Sequence, residues 1–330
     1  MSTWLITGGA GYIGAHVVRE LMGQGITPVV LDDFSAGLRS RIPAGVAVVE
    51  TDLANSQVVE QALRDHNVTG VVHLAAKKAA GESVEIPLHY YQENVGGLLS
   101  LLESMQAVGV KNFVYSSSAA VYGTPEVNPI DESQPLNPES PYGETKVIGE
   151  WLSRDLATSN GMNWVALRYF NVAGAAEDSL GDNSVNNLIP MVFRALEVGE
   201  RPQIFGDDYP TPDGTCVRDY IHVSDLAAAH VAAVALCERG DANLAINVGR
   251  GQGVSVAEVM NVISSVIGRD VNAEVVGRRA GDPAATFADV TLSGQVLNWH
   301  ARLDLDAMVA SAWSAWSAWS AWQSAHKETR

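Results

Sequence analysis

Short apolar runs alternate with segments of helical periodicity through the first half of the chain. Apolar runs rich in β-branched residues predict strands at 3–7, 28–31, 46–50, 70–74, 113–115 and 165–168. Between them, apolar residues recur at helical spacing, which predicts helices over 57–66, 88–107 and 142–157. Because strands that are apolar throughout are covered on both faces, this alternation predicts an α/β fold, a Rossmann-type doubly wound parallel sheet.

The second half of the chain is richer in glycine, proline and asparagine, and arginines are concentrated in it. Segment 217–223, a helix over 225–238 and a strand over 244–248 are expected to return to the first domain. We therefore expect a Rossmann domain at 1–175, with a returning segment near 217–248, and a smaller α/β C-terminal lobe at 176–330. The arginines suggest an anionic ligand in this lobe, although solvated surface arginines would give the same composition.

The tripeptide Ser-Ala-Trp is repeated four times between Ser311 and Trp322. A period of three residues is too short for the unit of a repeat protein. On a helix, the four tryptophans would cover about half of the circumference. We expect a terminal helix that packs part of this tryptophan face on the lobe, and we assign no chemistry to it.

Glycines follow the first strand directly, at Gly8, Gly11 and Gly14, and a helical pattern begins after them. A strand that turns through glycines into a helix leaves backbone N–H groups free at a positive dipole end, where a pyrophosphate can bind. The second strand ends in Asp32 and Asp33, whose carboxylates can accept hydrogen bonds from adenine-ribose hydroxyls and would repel a 2′-phosphate. These features predict a dinucleotide site that prefers NAD to NADP, with a surface turn as the alternative.

Charge and cysteine content narrow the class of protein. The 330 residues carry a formal net charge of −17, which argues against binding to nucleic acid or to an anionic membrane. The longest apolar helical stretch, 226–237, is too short to span a bilayer. Cys216 and Cys237 lack the spacing of a metal or redox site, so no metal is expected. A first strand that starts at residue 3 leaves no room for a targeting peptide, and we expect a cytoplasmic protein.

Tyr142 and Lys146 lie four residues apart on a predicted helix and therefore share one face. A nearby ammonium favours the phenolate, so we expect Lys146 to lower the pKa of Tyr142 and make it a general acid or base. The same spacing is common in helices with a purely structural role. Ser118 follows the preceding strand, so we expect it to meet Tyr142 and the glycine turn at the C-terminal edge of the sheet.

Segments throughout the chain resemble the extended short-chain dehydrogenases/reductases and, within them, the UDP-glucose 4-epimerases: 7–14, 116–123, 140–146, 168–171, 186–190, 214–223 and 278–282. The resemblance implies a bound NAD held by Gly8, Gly11, Tyr12, Ile13, Gly14, Asp32, Asp33, Asp52, Leu53, Leu74, Ala75, Ala76, Lys78, Asn94, Lys146 and Tyr169. It implies a UDP-sugar substrate bound by Ser118, Tyr142, Asn171, Asn187, Leu188, Phe205, Arg218, Tyr220, Arg279, Asp282 and Thr286. It also implies an NAD-binding domain at 1–175, a UDP-sugar-binding lobe at 176–330 and a homodimer.

The resemblance further implies an epimerase that inverts C4 of a UDP-hexose, with catalytic residues Tyr142, Lys146 and Ser118. Tyr142 would take the proton of the 4-hydroxyl while the C4 hydride passes to NAD, and Ser118 would hydrogen-bond the same oxygen. The 4-keto sugar would then turn over and receive the hydride on its other face. Because net oxidation is zero, NAD should stay bound.

Two alternative functions remain. The first is an NAD-dependent nucleotide-sugar lyase, such as a 4,6-dehydratase or a UDP-glucuronate decarboxylase. Dehydratases of this superfamily typically carry an Asp-Glu pair after the serine or threonine, where this chain has Ala119 and Ala120. Many epimerases have threonine where Ala120 stands. The second alternative is a non-catalytic dinucleotide-binding regulator, which would normally lack the tyrosine or the lysine.

Thr286 aligns with a wall residue of the sugar pocket in the epimerases. A tyrosine there is expected to exclude N-acetylated sugars, because its ring occupies the volume that a 2-acetamido group needs. Threonine leaves this volume open, so we hypothesise that UDP-GlcNAc and UDP-GalNAc are also interconverted. The alternative is that Thr286 only caps a loop.

Overall fold

The computed structural model describes residues 2–240, 242–279 and 281–327. The strands are β1 (Thr3–Thr7), β2 (Thr27–Asp32), β3 (Ala47–Glu50), β4 (Gly70–His73), β5 (Asn112–Ser118), β6 (Asn163–Tyr169), β7 (Asn171–Ala173), β8 (Gln203–Phe205), β9 (Val217–His222), β10 (Asn243–Val248), β11 (Gly253–Ser255), β12 (Glu274–Val276) and β13 (Ala285–Thr286). The α-helices are α1 (Tyr12–Gly23), α2 (Ser56–Asp65), α3 (Ala80–Glu85), α4 (Pro87–Tyr90), α5 (Gly97–Val108), α6 (Pro141–Asn160), α7 (Leu188–Glu197), α8 (Val223–Arg239), α9 (Val256–Ile267), α10 (Thr291–Leu297) and α11 (Leu305–Lys327). A π-helical turn, Tyr91–Gly96, joins α4 to α5, and 3-10 turns lie at Arg39–Arg41, Ala119–Val121 and Asp178–Leu180.

The large sheet has seven strands in the order β10-β6-β5-β4-β1-β2-β3, and all neighbouring strands are parallel. Its first six strands in chain order are the six that the apolar runs predict, so the Rossmann-type α/β fold is confirmed. β5 is longer than predicted, because Ser116–Ser118 continue the ladder opposite Leu167–Tyr169. Three polar residues therefore end a strand in the middle of the sheet.

Both faces of the large sheet are covered by helices, and β1 shows the alternation most clearly. Trp4 and Ile6 belong to a fully buried cluster that includes α1 and α8, whereas Leu5 belongs to a second cluster that includes α2 and α5. Alternate side chains of a strand point to opposite faces, so an apolar run without interruption is the pattern that two covered faces require.

A second, four-stranded sheet consists of β7, β9, β11 and β13, with β9 in its middle, and β8 pairs with β12 separately. Within the segment that was expected to return, β10 does lie beside β6, and α8 packs on the large sheet. β9, in contrast, pairs with strands of the small sheet and not with the large one. The return to the large sheet therefore begins with α8.

The Ser-Ala-Trp repeat lies in the terminal helix α11, as predicted. The ring of Phe193 on α7 lies 5.1 Å from Trp313 and 6.0 Å from Trp316, measured between centroids. Trp319 and Trp322 stack on each other, and Trp322 is largely exposed. Part of the tryptophan face packs on the lobe, which confirms that expectation.

Candidate active site

The turn between β1 and α1 is shaped for close approach of a ligand to the backbone. Gly8 has φ 69°, in the left-handed region, and a Cβ there would lie 2.9 Å from the Ala75 nitrogen. A Cβ on Gly14 would overlap the Gly8 carbonyl oxygen. The N-cap residue of α1, Gly11, provides no side-chain cap, so the first N–H groups of the helix, beginning at Tyr12 and Ile13, remain available to a pyrophosphate. These residues fit the NAD that the sequence predicts.

Asp32 connects the end of β2 to this turn. Its Oδ2 accepts a hydrogen bond from the Ala10 N–H at 2.9 Å, and its Oδ1 accepts one from the Phe34 N–H at 2.9 Å. Burial raises the pKa of Asp32, and these two N–H donors oppose the change. Asp33 and Asp52 are exposed, and each accepts a hydrogen bond from a backbone N–H two residues further on. Asp32 is thus the last residue of β2, and Asp33 and Asp52 lie within two residues of the C-terminal ends of β2 and β3.

Asn94 holds the loop after β4 in place. It is buried in the π-helical turn, where Oδ1 accepts from the Lys77 N–H at 2.8 Å and Nδ2 donates to the Lys77 carbonyl at 3.0 Å. Nδ2 also donates to Thr145 Oγ1 on α6 at 3.1 Å. The extra backbone residue of a π turn re-aims side chains, which accounts for an inward asparagine within a predicted regular helix. Lys78 is exposed and donates to Ser184 Oγ at 3.1 Å.

The remaining predicted cofactor residues surround this loop. The N–H groups of Leu74 and Ala75 point at Thr7 Oγ1, at 3.2 and 3.3 Å. Ala76 is exposed, whereas Leu53 is buried. The Tyr169 hydroxyl at the end of β6 forms a short hydrogen bond with Ser116 Oγ.

The tyrosine and the lysine of α6 are both buried and lie against the end of β5. Ser140 caps the helix by accepting a hydrogen bond from the Gly143 N–H at 3.2 Å, which places Tyr142 in the first turn. Lys146 Nζ donates to the Ser116 carbonyl at 2.7 Å and lies 5.7 Å from the centre of the Tyr142 ring. The Ser118 hydroxyl lies close enough to the Tyr142 side chain to act on its pKa. The structure therefore brings the three predicted catalytic residues together.

The expected direction of the Tyr142 pKa shift is wrong. Burial raises the pKa of Tyr142, and the Ser118 hydroxyl opposes this only in part. Burial also lowers the pKa of Lys146 to about 7, while the nearby Glu150 charge opposes the change. Helical spacing predicts that Tyr142 and Lys146 meet. The free-energy cost of removing both groups from water is nevertheless larger here than the attraction between them.

Five of the predicted substrate residues lie in two contact groups of the small lobe. Arg218 Nη2 donates to Asp282 Oδ1 at 3.0 Å, and the Arg279 guanidinium lies 3.8 Å from the centre of the Phe205 ring. Thr286 pairs with Arg218 between β13 and β9 and is 9% exposed. Its Oγ1 has no hydrogen-bond partner within residues 2–240, 242–279 and 281–327. Ala280, in the segment that carries Arg279 and Asp282, lies outside the described residues.

The other predicted substrate residues are more dispersed. Asn171 Nδ2 donates to the Asp219 carbonyl at 3.2 Å, and Asn187 Nδ2 donates to Asp182 Oδ2 at 2.9 Å just before α7, which starts at Leu188. The Tyr220 ring is buried in the hydrophobic core of the small lobe, so the structure offers little of that side chain to a ligand.

Sequence reasoning missed several residues that support this site. Ser83 Oγ accepts a hydrogen bond from the Tyr142 N–H at 3.1 Å, and Thr145 contacts Asn94 as described. Glu150 and Arg168 form a buried ion pair behind Lys146. The one local signal for them was the spacing of Glu150, four residues after Lys146 on the same helix face.

The described residues include neither a metal-binding cluster nor a membrane-spanning helix. They contain no group of three or more His, Cys, Asp or Glu side chains that could hold a metal ion. In the part of the chain that the structure covers, no helix is both long and apolar enough to cross a membrane.

The model of the NAD dependent epimerase/dehydratase family matches residues 4–249. The chain belongs to this family. It is 45% identical over 316 residues to the UDP-glucose 4-epimerase of Azospirillum brasilense, covering 93% of this chain and 90% of that protein. It is 44% identical to the Corynebacterium glutamicum UDP-glucose 4-epimerase, covering 94% of each. The predicted resemblance to this group is confirmed.

Solved structures agree with these matches. The Brucella ovis UDP-glucose 4-epimerase in complex with NAD superposes with a TM-score of 0.91 at 42% identity, covering 94% of this chain and 97% of that one. A Stenotrophomonas maltophila UDP-glucose 4-epimerase with bound NAD and formylated UDP-arabinopyranose gives 0.93 at 38% identity, covering 97% and 99%. The prediction of an NAD-dependent epimerase is confirmed, and the two alternative functions are not supported.

Proposed function

We propose that this chain inverts C4 of a UDP-hexose, with UDP-glucose and UDP-galactose as its substrates. The observation that carries this is the cluster of Tyr142, Lys146 and Ser118 at the C-terminal end of β5, two strands from the glycine turn that follows β1. β7 follows β6 after one residue and pairs with β9, which brings the Arg218 strand next to the same edge of the large sheet. The relatives named above support this substrate class.

Each group of residues has a separate task. The glycine turn and Asp32 hold the dinucleotide, which, when bound, supplies a reversible acceptor for the C4 hydride. Tyr142 takes the proton of the 4-hydroxyl and returns it, and Ser118 donates a hydrogen bond to the same oxygen. Arg218 and Arg279 hold the diphosphate, since a guanidinium matches phosphate oxygens in a bidentate manner. Lys146 stabilises the phenolate of Tyr142.

The first experiment incubates the purified protein with UDP-galactose and measures UDP-glucose formed without added cofactor. Acid denaturation should release close to one NAD(H) per chain, because zero net oxidation leaves the cofactor bound. Tyr142→Phe should lower kcat by about 10²–10⁴-fold, the effect of losing a positioned acid or base, with UDP affinity nearly unchanged. A Phe variant that turns over at the wild-type rate would assign the base elsewhere, with Ser118 the next candidate.

The residues after Ser118 favour an epimerase over a lyase. Ala119 and Ala120 form the 3-10 turn that follows β5, at the positions where a dehydratase needs acidic groups. A methyl group cannot remove the C5 proton or protonate a leaving hydroxyl. The observation therefore supports a reaction that stops at proton and hydride transfer at C4.

We further propose that UDP-GlcNAc and UDP-GalNAc are substrates, on the basis of Thr286. Its side chain is much smaller than a tyrosine, and its hydroxyl has no hydrogen-bond partner among the residues that the structure describes. A structural relative with a TM-score of 0.86 and 36% identity, covering 96% of this chain and 100% of that one, is a UDP-Glc/GlcNAc 4-epimerase from Campylobacter jejuni. Its dual specificity supports the proposal for this chain.

The proposal includes a homodimer formed by α4, α5 and α6. Apolar side chains are exposed there: Leu88 is 76% exposed, Leu99 41% and Trp151 49%. Burial of such residues against a second copy is the simplest way to remove them from water.

We also propose a cytoplasmic location, since Cys216 and Cys237 are both free and buried, as a reducing compartment favours. The division into an NAD-binding domain at 1–175 and a UDP-sugar lobe at 176–330 belongs to the same proposal.

A further inference from the structure

A buried carboxylate joins three elements directly behind the tyrosine–lysine pair. Glu150 lies one turn after Lys146 on α6 and is almost fully buried. Its Oε1 accepts hydrogen bonds from Ser117 Oγ at 2.5 Å and from Arg168 Nε at 2.9 Å, and its Oε2 accepts one from Arg168 Nη2 at 2.6 Å. The carboxylate therefore ties α6 to β5 through Ser117 and to β6 through Arg168.

Both partners of this carboxylate are sequence neighbours of the proposed site. Ser117 lies between Ser116 and Ser118. The Ser116 carbonyl accepts a hydrogen bond from the Lys146 ammonium, and the Ser118 hydroxyl lies close enough to Tyr142 to act on its pKa. Arg168 precedes Tyr169, whose hydroxyl bonds to Ser116 Oγ. A shift of the carboxylate would therefore move the serines of β5 relative to the first turns of α6.

The far side of Arg168 is fixed by further buried groups. Nη1 donates to the Tyr122 hydroxyl at 2.8 Å, and that hydroxyl donates to Asn247 Oδ1 on β10 at 2.7 Å. Asn247 Nδ2 donates in turn to the Ile130 carbonyl at 2.8 Å. A buried ion pair adds little to stability compared with apolar residues of the same volume. Such an extended network is better explained by the geometry that it imposes.

The carboxylate also acts on the charge of Lys146. The titratable groups that face this ammonium are Tyr142 and Glu150 on α6, Tyr115 on β5 and His73 on β4. Burial lowers the pKa of His73 to about 3, so this ring is neutral at working pH. Burial lowers the pKa of Lys146 to about 7, and the negative charge of Glu150 opposes it. Without that charge, the ammonium would lose its proton at a lower pH.

We propose that Glu150 is a positioning residue for catalysis, which fixes the tyrosine–lysine pair of α6 against the serine of β5 and keeps Lys146 protonated. The inference rests on the proposed roles of Tyr142, Lys146 and Ser118, and it assigns Ser117 and Arg168 as the groups through which Glu150 acts.

The first test weakens the carboxylate connection without leaving a buried charge unpaired. Ser117→Ala removes one hydrogen bond to Glu150 and keeps the Arg168 pair. Its matched control is Ser153→Ala, which removes a buried serine of α6 that donates to the Gly149 carbonyl at 2.8 Å. Ser117→Ala should lower kcat by about 3- to 10-fold with KM unchanged, because one hydrogen bond is lost while the Arg168 pair still holds the carboxylate. Ser153→Ala should leave kcat unchanged, with a similar change in Tm.

The second test removes the whole ion pair. Glu150→Gln alone would leave Arg168 charged and buried, so the variant is Glu150→Leu combined with Arg168→Met, an apolar replacement of the kind that cores accept. Its kcat should fall by at least about tenfold, because small misplacements of reacting groups are costly. The alkaline limit of kcat should move down by about one pH unit, the lower end of what a neighbouring opposite charge contributes. Near-ultraviolet tyrosinate absorbance, with Tyr142→Phe as the blank, should show Tyr142 ionising at higher pH than in the wild type.

The outcomes separate this inference from the proposed function. If Tyr142→Phe keeps wild-type turnover, the catalytic assignment fails, and the role of Glu150 fails with it. If Tyr142→Phe is inactive but Ser117→Ala behaves like Ser153→Ala, Glu150 is a stability element and the inference is overturned. An unchanged alkaline limit and tyrosinate titration in the double variant would overturn it as well. If the double variant does not fold, the comparison of the two serine variants decides.

Discussion

Replacing Thr286 with tyrosine is expected to suppress turnover of N-acetylated UDP-sugars and to spare UDP-galactose. Thr286 is nearly buried on β13, directly beside Arg218 on β9. A phenol ring at so enclosed a position must displace its neighbours or enter the space that a 2-acetamido group needs. Overpacking of this kind costs about 1–3 kcal/mol, so kcat/KM for the N-acetylated pair should fall by roughly 5- to 150-fold.

Thr286→Val is the matched control, because it keeps the shape and removes only the hydroxyl. Oγ1 is buried and finds no hydrogen-bond partner in the described part of the chain, and an unsatisfied polar group of this kind costs about 1–3 kcal/mol. The valine variant should therefore have a free energy of unfolding higher by about 1 kcal/mol or more. If the hydroxyl serves the acetamide, kcat/KM for UDP-GlcNAc falls by about 3- to 10-fold, while UDP-galactose is unaffected.

The assay measures kcat/KM for both sugar pairs in the wild type and in the two variants, by separating the epimeric UDP-sugars. Two results would refute the reasoning about position 286. The first is a wild-type protein with no N-acetyl activity. The second is a tyrosine variant that keeps this activity undiminished, which would mean that other side chains set the width of the pocket.

Two further predictions concern the cofactor turn and the dimer. Gly14→Ala should release NAD on purification, because its methyl group would overlap the Gly8 carbonyl. The control Gly23→Ala, on the same helix, places its methyl group in open space and should retain NAD. The measurement is the NAD content per chain. Trp151→Glu should shift the sedimentation coefficient toward that of the monomer, whereas Val127→Glu, at another exposed apolar position, should not. Equal sedimentation of the two variants would contradict the proposed interface.

The parts of the fold that the sequence could predict are those set by local patterns. Apolar runs such as that at 70–74 mark strands of a sheet covered on both faces, and the glycine spacing marks the turn. Ser116–Ser118 carry no apolar pattern, so their place in β5 depends on pairing with β6, which only the assembled sheet provides. Asn94 was expected on a regular helix, and the π turn that directs it inward has no sequence signal of its own.

The candidate site shows the same division. The grouping of Tyr142, Lys146 and Ser118 at one site was predictable from motifs and helical spacing. The structure places these side chains close together. The direction of the Tyr142 pKa shift was not predictable from the sequence, because desolvation depends on how deeply the assembled fold buries the ring. The Glu150–Arg168 pair joins residues of different elements, so no local pattern specifies it.

Asp219 provides a test of how the small lobe responds to pH. This buried carboxylate on β9 accepts hydrogen bonds from the N–H groups of Arg250 at 2.8 Å, Gly251 at 3.0 Å and Ala288 at 3.2 Å. It thereby ties the loop after β10 to the segment that follows Thr286. Burial nevertheless raises the pKa of Asp219 from 3.8 to about 6, with the three N–H donors in opposition.

Because the folded-state pKa of Asp219 is raised, the folded protein binds more protons than the unfolded chain between about pH 4 and pH 6. Its contribution to stability is therefore complete below this window and decreases as pH rises through it, by about 3 kcal/mol in total. In urea unfolding, the stability of the wild type relative to Asp219→Asn should decrease from pH 4.5 toward pH 6.5. The control is Asp131→Asn, a half-buried carboxyl whose pKa is lowered by hydrogen bonds from Ser133, so this variant should not reproduce the trend. A stability of the wild type relative to Asp219→Asn that increases with pH would show that the three N–H donors outweigh burial.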